Sequence, residues 1–130
     1  MAIRKPCETI TMLTTSDMSD YQYHFVYQSG ANKVALAGDT QNGEEYNVYI
    51  LQNQPEANEY AELAVPGGQS LLKVVDASSS VGDDIMISTA SKGTARVGSG
   101  KYTRAKVDEA SDAANQIVVV NFVDPIYVTT

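Results

Sequence analysis

The chain has 130 residues, 43% of them hydrophobic and 19% charged, with a net charge of −7. That length holds a real core without staples and suits one domain. The single cysteine rules out an intrachain disulfide and fits a reducing compartment, and the net acidity argues against a protein that wraps nucleic acid.

Arg4 and Lys5 are followed by Pro6-Cys7-Glu8 where a secretory leader would carry an apolar run, so no leader is expected. Residues 1–15 are polar and Thr-rich and read as an extended N-terminal arm or an edge strand, with 16–130 as the β domain. "YQYHFVYQ" (21–28) alternates with strand period, placing Tyr21, Tyr23, Phe25 and Tyr27 on one face and Gln22, His24 and Val26 on the other. "KVALAG" (33–38) and "YNVYILQN" (46–53) are strands around an Asn42-Gly43 turn, which predicts a hairpin over 33–53. Residues 54–60 are a loop or a single helical turn. Short strands follow at 61–69, stopped by Pro66-Gly67-Gly68, and at 70–77.

"SVGDDIMISTASKGTARV" (80–97) reads as a hairpin: Gly82-Asp83 turns, Ile85 and Ile87 share a face, Ser91-Lys92-Gly93 turns again, and Ala95 and Val97 return. "GSG" (98–100) leads into "KYTRAKV" (101–107), with Ala105 and Val107 on one face and Arg104 and Lys106 on the other. Residues 108–116 are polar with room for a helical turn. "IVVVNFV" (117–123) is a buried strand expected to stop before Asp124-Pro125. No apolar run approaches the roughly 20 residues of a membrane helix. Many short strands with a turn about every ten residues predict an all-β fold, a small compact β-barrel or β-sandwich.

No motif carries chemistry. "RVGSGKYT" (96–103) imitates a phosphate loop, but Ala95 stands where the first Gly belongs and Tyr102 where Ser or Thr belongs. "GDTQNGEE" (38–45) imitates a calcium loop and fails at its first ligand, Gly38. His24 has no Ser or Cys motif to pair with and reads as a surface or interface ring. Cys7 has no second Cys or His at metal spacing. Asp83 and Asp84 are strand neighbours and point apart, so turn chemistry accounts for them. No enzyme, cofactor or metal is expected. Charge is segregated: nine acids and one base lie between Asp39 and Asp84, and five bases (Lys92, Arg96, Lys101, Arg104, Lys106) with no acid between Lys92 and Lys106. The basic run reads as a solvated face or as a docking surface for acid, including the acid of a second copy. Only Tyr102 interleaves it, which does not support nucleic-acid stacking.

The turn pattern resembles the capsid decoration (cement) proteins of tailed bacteriophages. The resemblance covers roughly 33–123 and rests on Val81-Gly82-Asp83 with Ile85, on Ser91-Lys92-Gly93-Thr94-Ala95, on Glu109 to Ala114 and on Ile117 to Val120; it departs at Asn115-Gln116, where the family usually has Gly. It implies a virion protein made in the host cytoplasm, a homotrimer on the outer surface of the mature capsid that holds the major capsid protein of the same phage. No nucleic acid, membrane or catalysis is implied. On that reading Ile3, Arg4, Lys5, Thr9, Ile10 and Thr11 form a capsid-binding arm that adds a strand to a sheet edge. Tyr21, Tyr23, Tyr27, Arg104 and Lys106 form a subunit interface. A carbohydrate- or host-surface-binding β module is the alternative, though the chain lacks tryptophan.

Overall fold

The computed structural model describes residues 3–39, 47–76, 79–95, 100–109 and 111–128. Its strands are β1 (Thr9–Thr14), β2 (Phe25–Gly30), β3 (Lys33–Leu36), β4 (Val48–Leu51), β5 (Tyr60–Ala64), β6 (Gly68–Lys73), β7 (Asp84–Ile87), β8 (Gly93–Thr94), β9 (Tyr102–Val107) and β10 (Ile117–Tyr127). No α-helix occurs among the described residues. The all-β reading holds, and barrel and sheet are both present. β1-β3-β2-β4-β5 close into a barrel, and β6-β10-β9-β7-β8 form an open five-stranded sheet.

Two apolar clusters follow from this arrangement. Met18, Val26, Val34, Leu51, Ala61 and Leu63 fill the barrel. Phe25, Val48, Ile50 and Ala64 leave the barrel wall on its other side and meet Leu72, Ile85, Val107, Val120 and Phe122 of the sheet. The rings of Phe25 and Phe122 lie 6.3 Å apart at 58° across this seam, a tilted aromatic contact that adds to their burial. β2, β4 and β5 are therefore walls with two buried faces. Neighbouring strand residues point to opposite faces, so each wall carries an adjacent apolar pair, one side chain per core: Phe25-Val26, Ile50-Leu51 and Leu63-Ala64.

Double burial explains several departures from the expected elements. Tyr21 to His24 do not continue the strand; Tyr23 has φ +65°, and β2 begins only at Phe25. The hairpin expected over 33–53 does not form, because β2 lies between β3 and β4. β3 instead turns back on β2 through Asn32 at φ +54°; the Asn42-Gly43 turn lies outside the described residues. The hairpin expected in 80–97 is present, with Met86 opposite Thr94 and Ile87 opposite Gly93; Val97 lies outside the described residues. A β-carbon at Gly93 would fall 2.8 Å from both Ile85 Cγ2 and Leu72 Cδ2, so this turn closes directly onto the inter-sheet core. β10 does not stop at Val123. It continues to Tyr127 through an irregularity between Phe122 and Ile126 that holds Asp124-Pro125, the one kind of interior strand position where proline is tolerated.

The expected arm is also placed differently. Residues 9–14 are a strand of the barrel: Thr9 to Leu13 pair antiparallel with Ala64 to Tyr60, and Leu13 and Thr14 pair parallel with Lys33 and Val34. Ahead of them, the chain runs along the edge of β6. Gln69 N–H donates to Lys5 O at 2.7 Å, Cys7 N–H donates to Gln69 O at 3.0 Å, and Arg4 N–H donates to Gln69 Oε1 at 2.8 Å. Gly68 makes the approach possible, since a β-carbon there would fall 2.8 Å from Lys5 O, Pro6 O and Cys7 N. An arm has no reason to stay free when its main-chain groups find two edges of its own protein to satisfy. Residues 3–14 therefore lace sheet to barrel.

Deleting residues 1–15 is expected to abolish the cooperative urea transition, because it removes a barrel strand. Arg4→Ala, which loses only a surface ion pair, is expected to shift stability by under about 1 kcal/mol. A folded, cooperative deletion variant would show that β1 is dispensable.

Candidate functional site

The proposed capsid-binding residues fall into two groups. Ile3, Arg4 and Lys5 are exposed on the outer edge of the sheet. The Arg4 guanidinium reaches Asp108 at 3.3 Å with its side chain still largely in water. Thr9, Ile10 and Thr11 expose side chains, but their backbones are committed to β5. Strand addition to another sheet by residues 9–11 would require their withdrawal from the barrel. Beside Arg4 and Lys5 an open cleft of about 460 Å³ runs along Gly68, Phe122 and Asp124. Gln69, which lines it, donates from Nε2 to Asp108 Oδ2 at 3.2 Å and ties β6 to the turn after β9.

The proposed interface residues do not share a face. Tyr21 packs on the barrel core and Tyr27 on the inter-sheet core, and Tyr23 sits in the turn before β2. On β9, Lys106 is exposed and lies 3.8 Å from Asp84 Oδ1 on β7, opposite it in register. Arg104, expected beside it on a solvated face, is 2% exposed. It stands opposite the β10 irregularity, with its guanidinium carbon 5.8 Å from the centre of the Tyr102 ring. Tyr102 in turn packs on Tyr127 with ring centres 5.1 Å apart. The irregularity pushes Asp124-Pro125 outward, and Arg104, Asp124 and Pro125 line one hollow together. Arg104 is thus a structural cation, while Ile126 and Tyr127 beyond the irregularity are left exposed. Sequence reasoning missed that apolar pair because the proline seemed to end the strand. Arg96 lies outside the described residues.

The acidic pair is divided as expected. Asp83 Oδ2 accepts from Ser80 N–H at 2.8 Å and closes the Gly82 turn, while Asp84 faces Lys106. Asp76, from the acidic stretch, accepts from Ala95 N–H at 2.7 Å and so anchors the strand after the second turn. Asp17 accepts from Ser19 N–H at 2.9 Å, which holds its carboxyl below the usual range. Burial pushes the Cys7 thiol up, only partly offset by a backbone hydrogen bond from Gly68, so this thiol is a poor nucleophile.

His24 departs most from expectation. It is 3% exposed, not a surface ring. Its N–H donates to Tyr21 O at 3.1 Å, its carbonyl accepts from Leu51 N–H at 3.0 Å, and its Nδ1 lies 3.2 Å from Gln22 O. The Tyr21 ring meets it edge-on at 5.3 Å. Burial lowers its proton affinity, and Lys73 and Lys92 lower it further. Only the turn through Tyr23, which moves the histidine out of strand alternation, brings these groups together. Among the described residues no cluster of His, Cys, Asp and Glu could hold a metal, and no helix is long and apolar enough to cross a membrane.

No protein-family model matches the sequence, and no curated protein matches it. Among solved structures the chain is similar to the head fiber gp8.5 N base of bacteriophage phi29, with a TM-score of 0.66 and 11% identity over 91% of this chain and 95% of that one. The two share a fold.

Two measurements check the site. Arg104→Ala is expected to lower unfolding free energy by about 1–3 kcal/mol, because a buried side chain with packed neighbours is lost. Lys106→Gln is expected to stay within about 0.5 kcal/mol; equal effects would return Arg104 to the surface. Stability should also be level well above about pH 6.5 and fall as pH drops through and below it, as the unfolded chain takes up a proton that folded His24 resists. His24→Gln should flatten that limb; Asp17 acts only at lower pH.

Proposed function

We propose that this chain is a structural protein of a tailed-phage particle that sits on the outside of the head and reinforces contacts between shell subunits. The observation that carries the reading is the fold shared along nearly the whole chain with the phi29 head fiber gp8.5 N base. The turn pattern of residues 81–95 and 109–120, with its resemblance to decoration proteins, supports the same setting from the sequence side.

The construction suits such a role. A wall buried on both faces makes the barrel and sheet one stiff unit, and a stiff unit loses little freedom when it docks. Several weak contacts made at once by such a unit, or by three copies around a local threefold position, hold far more strongly than any one of them. The major capsid protein of the same phage is the partner. The contact residues available for it are Ile3, Arg4 and Lys5 at the laced edge and the exposed Ile126 and Tyr127 at the end of β10. Residues 9–11 contribute through side chains alone.

Mass spectrometry of purified virions is expected to find this polypeptide in stoichiometric amounts, and surface labelling of intact particles is expected to modify it. Its absence from particles, or protection until the shell is broken, would overturn the reading. Light scattering of the purified protein should give the mass of three chains; a monomer at micromolar concentration removes the threefold element.

A further inference from the structure

The seam between barrel and sheet holds a second open pocket, also about 460 Å³, apart from the residues proposed above to contact the head. Three connections build it. Lys73 N–H donates to Tyr23 O at 2.9 Å, Phe25 N–H donates to Ser91 O at 2.7 Å, and Leu51 N–H donates to His24 O at 3.0 Å. The first two draw the turn before β2, the end of β6 and the β7–β8 turn to one place, and the third holds the turn before β2 on β4. Asp20, Tyr21, His24, Lys73, Ser91 and Lys92 line the result.

The charge of this pocket runs against that of the chain. The protein carries −7 overall, yet two lysines, Lys73 and Lys92, line this pocket with a single acid, Asp20, and the histidine. The groups that bear on His24 among the described residues are Asp20 and Tyr21 from its own turn, Lys73 from β6 and Lys92 from the β7–β8 turn. Lys92 Nζ donates to Asn115 Oδ1 at 2.8 Å; an ammonium has three N–H groups, so donors remain for a ligand. With Nδ1–H turned to Gln22 O, Nε2 is the nitrogen that a proton would convert into a further donor.

We propose that this pocket binds a small oxyanion, a carboxylate or phosphate group, between Lys73 and Lys92, and that protonation of His24 strengthens the hold. The chemistry is that of a charge-assisted site: cationic donors fixed by the backbone around a partly enclosed space. Burial lowers the proton affinity of the imidazole, and the same two lysines lower it further; an anion seated between them would offset the lysines' part. By linkage, the anion must raise the proton affinity of His24 by the factor by which protonation raises anion affinity. A free phosphate and an acidic side chain of a partner protein present the same group.

The single histidine makes the test clean. Its ring proton signal is followed by NMR through a pH titration in sodium phosphate, in N-acetylglutamate N-methylamide, and in sodium chloride at matched ionic strength. The expected result is a rise of about fivefold or more in proton affinity with at least one oxyanion over chloride. The rise should be lost in Lys73→Gln/Lys92→Gln and at least halved in Lys92→Gln alone, a half-exposed site that spares the fold. A response to phosphate alone assigns a phosphate group, and a response to the glutamate derivative alone assigns an acidic side chain. No difference from chloride in the wild type, or an undiminished response in Lys92→Gln, would overturn the proposal.

Discussion

The structure depends on a wall that two cores share. β2, β4 and β5 belong to the barrel, but their outer faces are the floor on which the second sheet rests. A strand buried on one side alternates apolar and polar residues; a strand buried on both cannot. Phe25-Val26, Ile50-Leu51 and Leu63-Ala64 are the sequence's answer to that geometry. Since each pair feeds two cores at once, the barrel and the sheet do not move independently, and damage to either core is felt in both.

The remaining features follow from closing the edges this arrangement leaves. β6 is an edge strand, and the segment before β1 covers it; Gly68 gives the close approach that a β-carbon would block. β1 then closes the barrel between β3 and β5. At the other end of the sheet, β10 outruns β6 and keeps only β9 as a partner, with its irregularity facing buried Arg104. The exposed Ile126 and Tyr127 lie on this unsupported ribbon. A two-stranded ribbon is marginal in water by itself, and the ring contact of Tyr102 with Tyr127 is one of the forces that hold it.

Charge is used locally rather than as a field. The basic run looked like one patch, yet Lys106 meets Asp84, Lys92 meets Asn115, and Arg104 is inside. The acidic stretch is spent in the same way, with Asp76 and Asp83 accepting backbone N–H groups. The pairing of Lys73 and Lys92 at His24's pocket is a separate feature, produced by two backbone connections across the seam.

The sequence by itself determined the class of the molecule: β-branched and aromatic runs between turn residues leave no periodic face for a helix, and the Gly82-Asp83 and Ser91-Lys92-Gly93 turns are local chemistry that needs no distant partner. It also showed that Asp83 and Asp84 would point apart, since strand geometry settles that between neighbours. What tertiary structure alone decided is everything that depends on what lies across a strand. Pairing partners are set by non-local contacts, so β2 could separate β3 from β4 and residues 3–14 could join two edges instead of remaining an arm. Burial of Arg104 and His24 came from a proline-bearing irregularity on β10 and a left-handed turn at Tyr23. Neither leaves a periodic trace in the sequence, because each is stabilised by groups far away along the chain.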